Sequence, residues 1–162
     1  MRRTDREITD FDEMLEVMSK CDVCRLALNN DGYPYILPLN FGISVENGQV
    51  TLFFHGATEG TKYALMEADN RASFEMDCCH ELFFDEEKKS CSMAYESVIG
   101  RGRVSILSEP EKTKALKILM EHYREPDFPI NPEVAARTTV FKLTVESMTG
   151  KRRVRRHGGK RV

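Results

Sequence analysis

Residues 53–62 (FFHGATEGTK) carry the side-chain types and the spacing of an anion-binding pocket. An apolar strand ends at His55, a short glycine-containing loop follows, and a predicted helix then has Thr61 and Lys62 in its first turn. The first amides of a helix lack intrahelical acceptors and lie at the positive end of the helix dipole, so they attract anions. Thr61 adds a hydroxyl donor and Lys62 adds a full charge. The segment therefore predicts a site for a phosphate-bearing cofactor or substrate, with ordinary helix capping as the alternative explanation.

Hydrophobic periodicity predicts the elements that must position this segment. Helices are predicted over residues 9–20, 59–69 and 110–123, and strands over residues 23–29, 35–45, 49–55, 71–77, 93–107 and 138–145. Asn30-Asp31-Gly32 and Asn47-Gly48 are typical of hairpin turns, because glycine tolerates the positive φ that such turns need. Pro38 places part of the second strand at an edge or a bulge, since proline cannot donate to a ladder. The charged residues 80–90 are expected to form a solvated loop.

The order of these elements distinguishes between two fold classes. Two early joints are hairpins, a regular alternation of strands and helices is absent, and no Gly-x-Gly-x-x-Gly motif occurs. Gly100 and Gly102 interrupt the long fifth strand, which is typical of a bulge or a barrel corner. The sequence therefore predicts a mainly β protein with helices, a six-stranded and largely antiparallel barrel rather than a doubly wound sheet.

The charge distribution divides the chain into an acidic body, residues 1–150, and a basic C-terminal tail, residues 151–162, which holds seven of the 24 Lys and Arg residues. Such a tail binds nucleic acid or anionic lipid, folds back on the acidic body, or stays in solvent. The strands lack the aromatic and basic pattern of RNA-binding modules, so nucleic acid is not the expected partner. No apolar run has membrane-spanning length and no apolar segment follows the N-terminal basic residues, so a cytoplasmic single domain is expected.

The five cysteines are Cys21, Cys24, Cys78, Cys79 and Cys91. Their odd number and the lack of a signal peptide argue against a disulfide framework. Cys21 and Cys24 form a C-x-x-C motif that Cys78 and Cys79 complete, in principle, to a zinc set. However, Cys24 opens an apolar strand and the second pair is adjacent rather than spaced. Packed, reduced thiols and no metal are therefore expected.

Five short motifs together resemble the pyridoxamine 5′-phosphate oxidase-like flavoproteins, and most closely their 5-nitroimidazole-resistance subgroup. They are residues 32–41 (GYPYILPLNF), 53–62 (FFHGATEGTK), 95–102 (YESVIGRG), 141–145 (FKLTV) and 148–152 (MTGKR). Their order and spacing cover nearly the whole chain. The resemblance implies a split β-barrel of Greek-key type that binds FMN at a homodimer interface.

The resemblance also implies which residues contact the cofactor. They comprise a segment along the isoalloxazine ring, two residues on the facing strand, two phosphate ligands and two residues from the strand that completes the site across the dimer: Pro38, Leu39, Asn40, Phe41, Phe54, His55, Thr61, Lys62, Ser97 and Val98. Considered only as residue types, Phe41 and Phe54 are expected in the core. Lys62 as a phosphate ligand agrees with the anion pocket derived from residue chemistry.

For function, the resemblance implies an oxidoreductase that passes electrons from reduced FMN to a small acceptor, such as the nitro group of a 5-nitroimidazole. His55 is the candidate catalytic proton donor, because its unperturbed pKa lies near neutrality. A histidine that only forms hydrogen bonds to the loop or the cofactor is the alternative. The remaining histidines are expected at the surface: His80, His122 and His157.

Four other functions remain open at the sequence level. A non-catalytic FMN-binding protein and a heme-binding protein both use the same barrel, and in the latter His55 becomes an iron ligand. Pyridoxamine 5′-phosphate oxidation is disfavoured, because those enzymes usually carry an Arg-Lys pair where this chain has Thr61 and Lys62. A nucleic-acid-associated domain that binds through the basic tail is the last alternative.

Overall fold

The computed structural model describes residues 3–85, 89–155 and 160–161. A short 3-10 turn at Thr4–Arg6 precedes the helices α1 Phe11–Lys20, α2 Thr61–Ala68, α3 Glu109–His122 and α4 Pro132–Ala136. The strands are β1 Glu7–Ile8, β2 Cys24–Leu28, β3 Tyr35–Leu39, β4 Phe41–Glu46, β5 Gln49–Ala57, β6 Arg71–Asp85, β7 Ser90–Ile106, β8 Thr138–Arg153 and β9 Lys160–Arg161. The three long helices and the hairpins lie where the sequence predicts them.

The chain forms two compact units. The first unit draws on residues 1–21, 76–99 and 149–162, and the second on residues 22–75 and 100–148. The long strands β6, β7 and β8 each contribute residues to both units. In the first unit, β1 pairs with β8 and β9 pairs with β6, both antiparallel.

Hydrogen-bonded neighbours in the second unit follow the order β3-β2-β6-β7-β8-β5-β4. The pairs β2–β3, β2–β6, β4–β5 and β5–β8 are antiparallel, as the sequence predicts. The turn between β4 and β5 has positive φ at Asn47 and Gly48, 52° and 79°, which is the geometry that an Asn-Gly hairpin needs. This turn sets the register that places Phe41 opposite Phe54.

The core of the second unit is aromatic. Phe41, Phe54 and Phe141 are fully buried, and Phe74 is 1% exposed. Phe54 and Phe141 are cross-strand partners on β5 and β8, and their rings stack with centroids 5.2 Å apart. Such a pair contributes about 0.5–1.5 kcal/mol beyond the area that it buries. The middle of β5, which leads to His55, is thereby fixed to the core.

Gly102 on β7 is required by a close approach of two strands rather than by an unusual backbone angle. A Cβ atom at this position would lie 2.0 Å from the carbonyl oxygen of Thr144 on β8. A Cβ at Gly100 would likewise lie 2.3 Å from a ring carbon of Phe74. The sequence signal at these two glycines therefore marks tight strand packing.

The predicted single strand over residues 35–45 is wrong, because the chain breaks at Asn40 into β3 and β4. These strands have different partners: β3 pairs with β2 and β4 pairs with β5. Pro38 lies in β3, which ends the strand order, and edge strands are where a residue without an N–H donor is tolerated. The expected six strands are accordingly too few for the described residues.

The predicted loop over residues 80–90 is also wrong for its described part. Strand β6 runs to Asp85 and β7 begins at Ser90, while residues 86–88 lie outside the described residues. The alternation of apolar and polar residues that predicts this strand stops near Asp77. Cys79, two residues later, has a φ of 57°, which interrupts the pleat of β6, so the rest of the strand does not continue the alternation. Strand β8 likewise continues past Val145 to Arg153, and residues 156–159 and 162 of the basic tail lie outside the described residues.

Candidate cofactor site

The joint between β5 and α2 has the backbone of an anion site. Gly60 is the N-cap of α2, with φ 143°, and it provides no side-chain hydrogen bond to the first turn. The helix proper begins at Thr61, whose side chain is exposed. The N-cap residue therefore does not cap the helix through a side chain, which was the alternative explanation of this motif. The Tyr63 amide donates to the Gly60 carbonyl oxygen at 3.1 Å, which leaves the Thr61 and Lys62 amides as the donors that an anion would meet.

Lys62 folds back over the end of β5. Its side chain is half-buried, and its Nζ lies 4.4 Å from the ring centroid of Tyr63. A Cβ atom at Gly56 would lie only 3.2 Å from this Nζ, so the glycine leaves the space in which the ammonium group sits. The Tyr63 hydroxyl donates to the carbonyl oxygen of Ala57 and joins the helix to the strand. Among the residues that the structure describes, no carboxylate forms an ion pair with Lys62.

His55 lies two residues before the end of β5, opposite Val140 on β8. Its side chain is open to solvent, but neighbouring protein atoms partly desolvate the ring and lower its pKa below the usual value. The ring is therefore mainly neutral at pH 7, with one nitrogen as donor and the other as acceptor. Proton donation by His55 becomes stronger as the pH falls toward its pKa.

The segment before β4 is held by Tyr123, at the C-cap of α3. The Tyr123 hydroxyl accepts a hydrogen bond from the Phe41 amide at 3.1 Å and donates one to the Asp22 carbonyl oxygen at 2.8 Å. These two bonds position the junction at Asn40. Pro38 and Asn40 are exposed there, and Leu39 is half-buried.

Phe41 and Phe54 face the core, as their residue type predicts. Both side chains are fully buried in the described chain, so a ligand would meet their backbone rather than their rings. The Phe41 ring lies 4.2 Å from the ring of His122, centroid to centroid. The expected surface position of His122 is therefore wrong, since this histidine is half-buried beside an aromatic ring.

Ser97 and Val98 lie on β7 within the first unit. Val98 is fully buried and Ser97 is half-buried. The predicted residues that the structure brings together in the second unit are thus His55, Thr61 and Lys62 at one joint, and Pro38 to Phe41 at the other. The role of Ser97 and Val98 across a dimer stays a prediction.

An ion-pair network in the first unit is centred on Glu96 of β7. Lys20 Nζ lies 3.0 Å from Glu96 Oε2, and Arg152 Nε lies 2.5 Å from Glu96 Oε1. Arg152 also reaches Glu13 at 2.7 Å. Burial opposes ionisation of Glu96, but the hydrogen bonds from Lys20 and Arg152 outweigh it and lower its pKa. Sequence reasoning missed this network, because its members are widely separated in the chain.

None of the five cysteines, all within the described ranges, forms a disulfide. Cys21 Sγ lies 3.3 Å and Cys78 Sγ 3.9 Å from the same carbonyl oxygen, that of Val17. Burial, together with the neighbouring Cys79 and Cys21 thiols, raises the pKa of Cys78. The expected reduced thiols are therefore what the structure holds.

The other two surface histidines have separate outcomes. His80 is exposed, as expected, and its Nε2 lies 2.6 Å from an Asp77 carboxylate oxygen. His157 lies outside the described residues. In the part of the chain that the structure describes, no helix combines the length and the apolar character that crossing a bilayer requires.

Residues 10–152 match the family model for pyridoxamine 5′-phosphate oxidase. The chain belongs to this family. The resemblance stated from the sequence motifs is thereby confirmed, and the matched residues include both joints of the candidate site. No curated protein matches the sequence significantly.

Solved structures of the same fold include a candidate 5-nitroimidazole antibiotic resistance protein from Bacteroides thetaiotaomicron, with 31% identity, a TM-score of 0.76, and coverage of 90% of this chain and 85% of that one. A flavocytochrome from Azotobacter vinelandii has 16% identity and a TM-score of 0.76, with 96% and 72% covered. An FAD- and heme-binding protein from Mycobacterium smegmatis has 18% identity and a TM-score of 0.76, with 91% and 73% covered. The last two show the fold alone. The expected fold class, mainly antiparallel β with helices as in the split-barrel family, is confirmed.

Proposed function

We propose that this member of the pyridoxamine 5′-phosphate oxidase family binds FMN and acts as a homodimeric oxidoreductase on small nitroaromatic acceptors. The observation that carries the proposal is the β5–α2 joint. There, the start of α2 has no side-chain cap, and the Lys62 ammonium group lies beside Gly56. The joint fits a phosphate group, because it offers fixed N–H donors and one cation that has no protein carboxylate as a competitor.

Family membership supports flavin as the phosphate-bearing group, because the sequence motifs of this chain resemble FMN-binding flavoproteins of that family. The Bacteroides protein with 31% identity, a candidate 5-nitroimidazole antibiotic resistance protein, supports the nitroaromatic acceptor. Thr61 stands where an Arg would be expected for pyridoxamine 5′-phosphate oxidation. We therefore favour an acceptor other than pyridoxamine 5′-phosphate.

A bound flavin would supply electron transfer to the acceptor. Lys62 and the first amides of α2 would hold its phosphate. The backbone at Asn40 and Phe41, which the Tyr123 hydroxyl fixes, would position its ring. His55 lies at the end of β5 and delivers a proton to the reduced acceptor, so we expect turnover to increase as the pH falls toward the lowered pKa of His55.

A homodimer is supported by the apolar side chains that the second unit leaves exposed on the two strands that end the strand order. Ile36 on β3 is 60% exposed and Val45 on β4 is 42% exposed. Exposed apolar groups of this kind often mark a protein interface. Sedimentation velocity distinguishes a dimer from a monomer, and a monomer at micromolar concentration contradicts this part of the proposal.

The first experiment is the absorption spectrum of the purified protein, with identification of the ligand released on denaturation. Released FMN supports the proposal, and released FAD corrects the cofactor. A Soret band identifies heme and makes His55 a candidate iron ligand. A protein without bound chromophore that also fails to take up added FMN contradicts it.

The Lys62→Ala variant tests the phosphate site directly. Loss of one charge-assisted contact weakens FMN binding about 10- to 100-fold, as measured by quenching of flavin fluorescence. Lys114→Ala is the matched control, because Lys114 pairs with Glu46 at the surface, where both side chains are largely exposed. The phosphate assignment is wrong if both variants bind FMN as tightly as the wild type. Reduction of a 5-nitroimidazole by the FMN-loaded protein then tests the acceptor separately.

A further inference from the structure

A cluster of metal-ligating side chains lies in the first unit, on β6 and β7. The Sγ atoms of Cys78 and Cys79 and a carboxylate oxygen of Glu96 all lie within 4.8 Å of one another. In a regular strand, successive side chains point to opposite faces, so two adjacent cysteines would diverge. The left-handed backbone at Cys79, φ 57°, breaks this alternation and brings both thiols to the same carboxylate.

We propose that Cys78, Cys79 and Glu96 bind one thiophilic divalent cation of the zinc type. This site is separate from the proposed flavin function, and it revises the expectation of no metal that the adjacent spacing of the two cysteines had suggested. The binding step releases two protons, one from each thiol, as the cation forms two bonds to thiolate sulfur and one to carboxylate oxygen.

The distances suit tetrahedral coordination. Cys79 Sγ lies 3.7 Å from Glu96 Oε2. A zinc ion with bonds of about 2.3 Å to sulfur and about 2.1 Å to oxygen, at a tetrahedral angle, holds those two ligand atoms about 3.6 Å apart. The cation therefore fits between these atoms with little movement.

The charges around the cluster also suit a cation held by thiolates. Two thiolates and one carboxylate carry three negative charges, of which a divalent cation balances two. Lys20 and Arg152, which form ion pairs with Glu96, lie beside the remaining charge. Cys79 is exposed and Cys78 is half-buried, so a cation can enter from solvent. Three protein ligands leave a fourth position to water, which is typical of an exchangeable rather than a closed structural site.

The test is a titration of the reduced, metal-free, full-length protein with Zn²⁺ in competition with a chromophoric chelator. We expect one Zn²⁺ per chain with a Kd below about 1 μM, and release of two protons in weakly buffered solution. Co²⁺ in place of Zn²⁺ gives a thiolate-to-metal charge-transfer band. Cys79→Ser weakens Zn²⁺ binding by about 100-fold or more and reduces that band, because only the Cys78 thiolate remains.

Cys91→Ser is the matched control, since Cys91 is an exposed cysteine on β7 outside the cluster. This variant keeps wild-type affinity, and near-UV circular dichroism verifies that both variants are folded. Cys79 is itself exposed, so its replacement by serine is compatible with folding. Absence of stoichiometric binding, wild-type affinity in Cys79→Ser, or an equal loss in Cys91→Ser each overturns the proposal.

Discussion

Replacing Tyr123 with phenylalanine removes one oxygen atom and keeps the ring. The oxygen accepts from the Phe41 amide at 3.1 Å and donates to the Asp22 carbonyl at 2.8 Å. Asp22 is exposed, so water replaces its lost donor. Phe41 is 0% exposed, so no water molecule replaces the acceptor that its amide loses. The free energy of unfolding therefore falls by about 1–3 kcal/mol, the cost of leaving a buried donor without an acceptor.

For a chain of this size, that change lowers Tm by about 3–10 °C. Urea unfolding followed by circular dichroism gives the free energy, and a thermal melt gives Tm. Tyr33→Phe is the control, because the Tyr33 side chain is 83% exposed and its replacement is expected to change stability by less than about 0.5 kcal/mol. If Tyr123→Phe is as stable as Tyr33→Phe, the hydroxyl does not hold the β3–β4 junction. A larger effect on FMN affinity than in Tyr33→Phe would link the junction to the cofactor.

Two further predictions concern packing and protonation. Gly102→Ala places a methyl group 2.0 Å from the Thr144 carbonyl oxygen, so strands β7 and β8 must separate locally. The free energy of unfolding, measured with urea, falls by about 3 kcal/mol or more. An unchanged midpoint of urea unfolding contradicts the strand spacing. The pKa of His55 is lower in the folded than in the unfolded chain, so protonation favours unfolding. This destabilising contribution of His55 is absent above the unfolded pKa of about 6.5. Below that pH, the free energy of unfolding falls as the pH drops, and His55→Gln reduces the slope of this dependence. Equal slopes in the wild type and in His55→Gln refute the prediction.

Features determined by neighbouring residues were predictable from the sequence. The Asn47-Gly48 turn, helix α1 and the loop before α2 depend on local backbone preference, capping and periodicity. Asp10, for instance, accepts a hydrogen bond from the Glu13 amide at 2.9 Å, which starts α1 near the predicted position. The strand, loop and helix around Lys62 were predictable for the same reason, since they form one continuous segment, and the anion site that they would form stays a prediction.

Features determined by distant partners were not predictable. The break at Asn40 exists because β3 and β4 pair with different strands, and apolar residues continue on both sides of it. Glu96 gains its partners from Lys20, 76 residues earlier, and Arg152, 56 residues later. The backbone turn at Cys79 also has no signal in residue type, because cysteine rarely adopts positive φ. The periodicity of apolar residues along the sequence does not indicate which distant residues pair.

The pairing of β1 with β8 has a consequence for synthesis of the chain on the ribosome. Ile8 pairs with Gly150, and a Cβ at Gly150 would lie 2.8 Å from both Ile8 and Met14, so β8 lies directly against the start of the chain. The buried face of α1, which includes Met14 and Met18, is synthesised long before its partner at residue 150. During this interval its apolar surface is open to chaperones and to other nascent chains. Folding of the first unit is therefore a late step that is governed by long-range contacts.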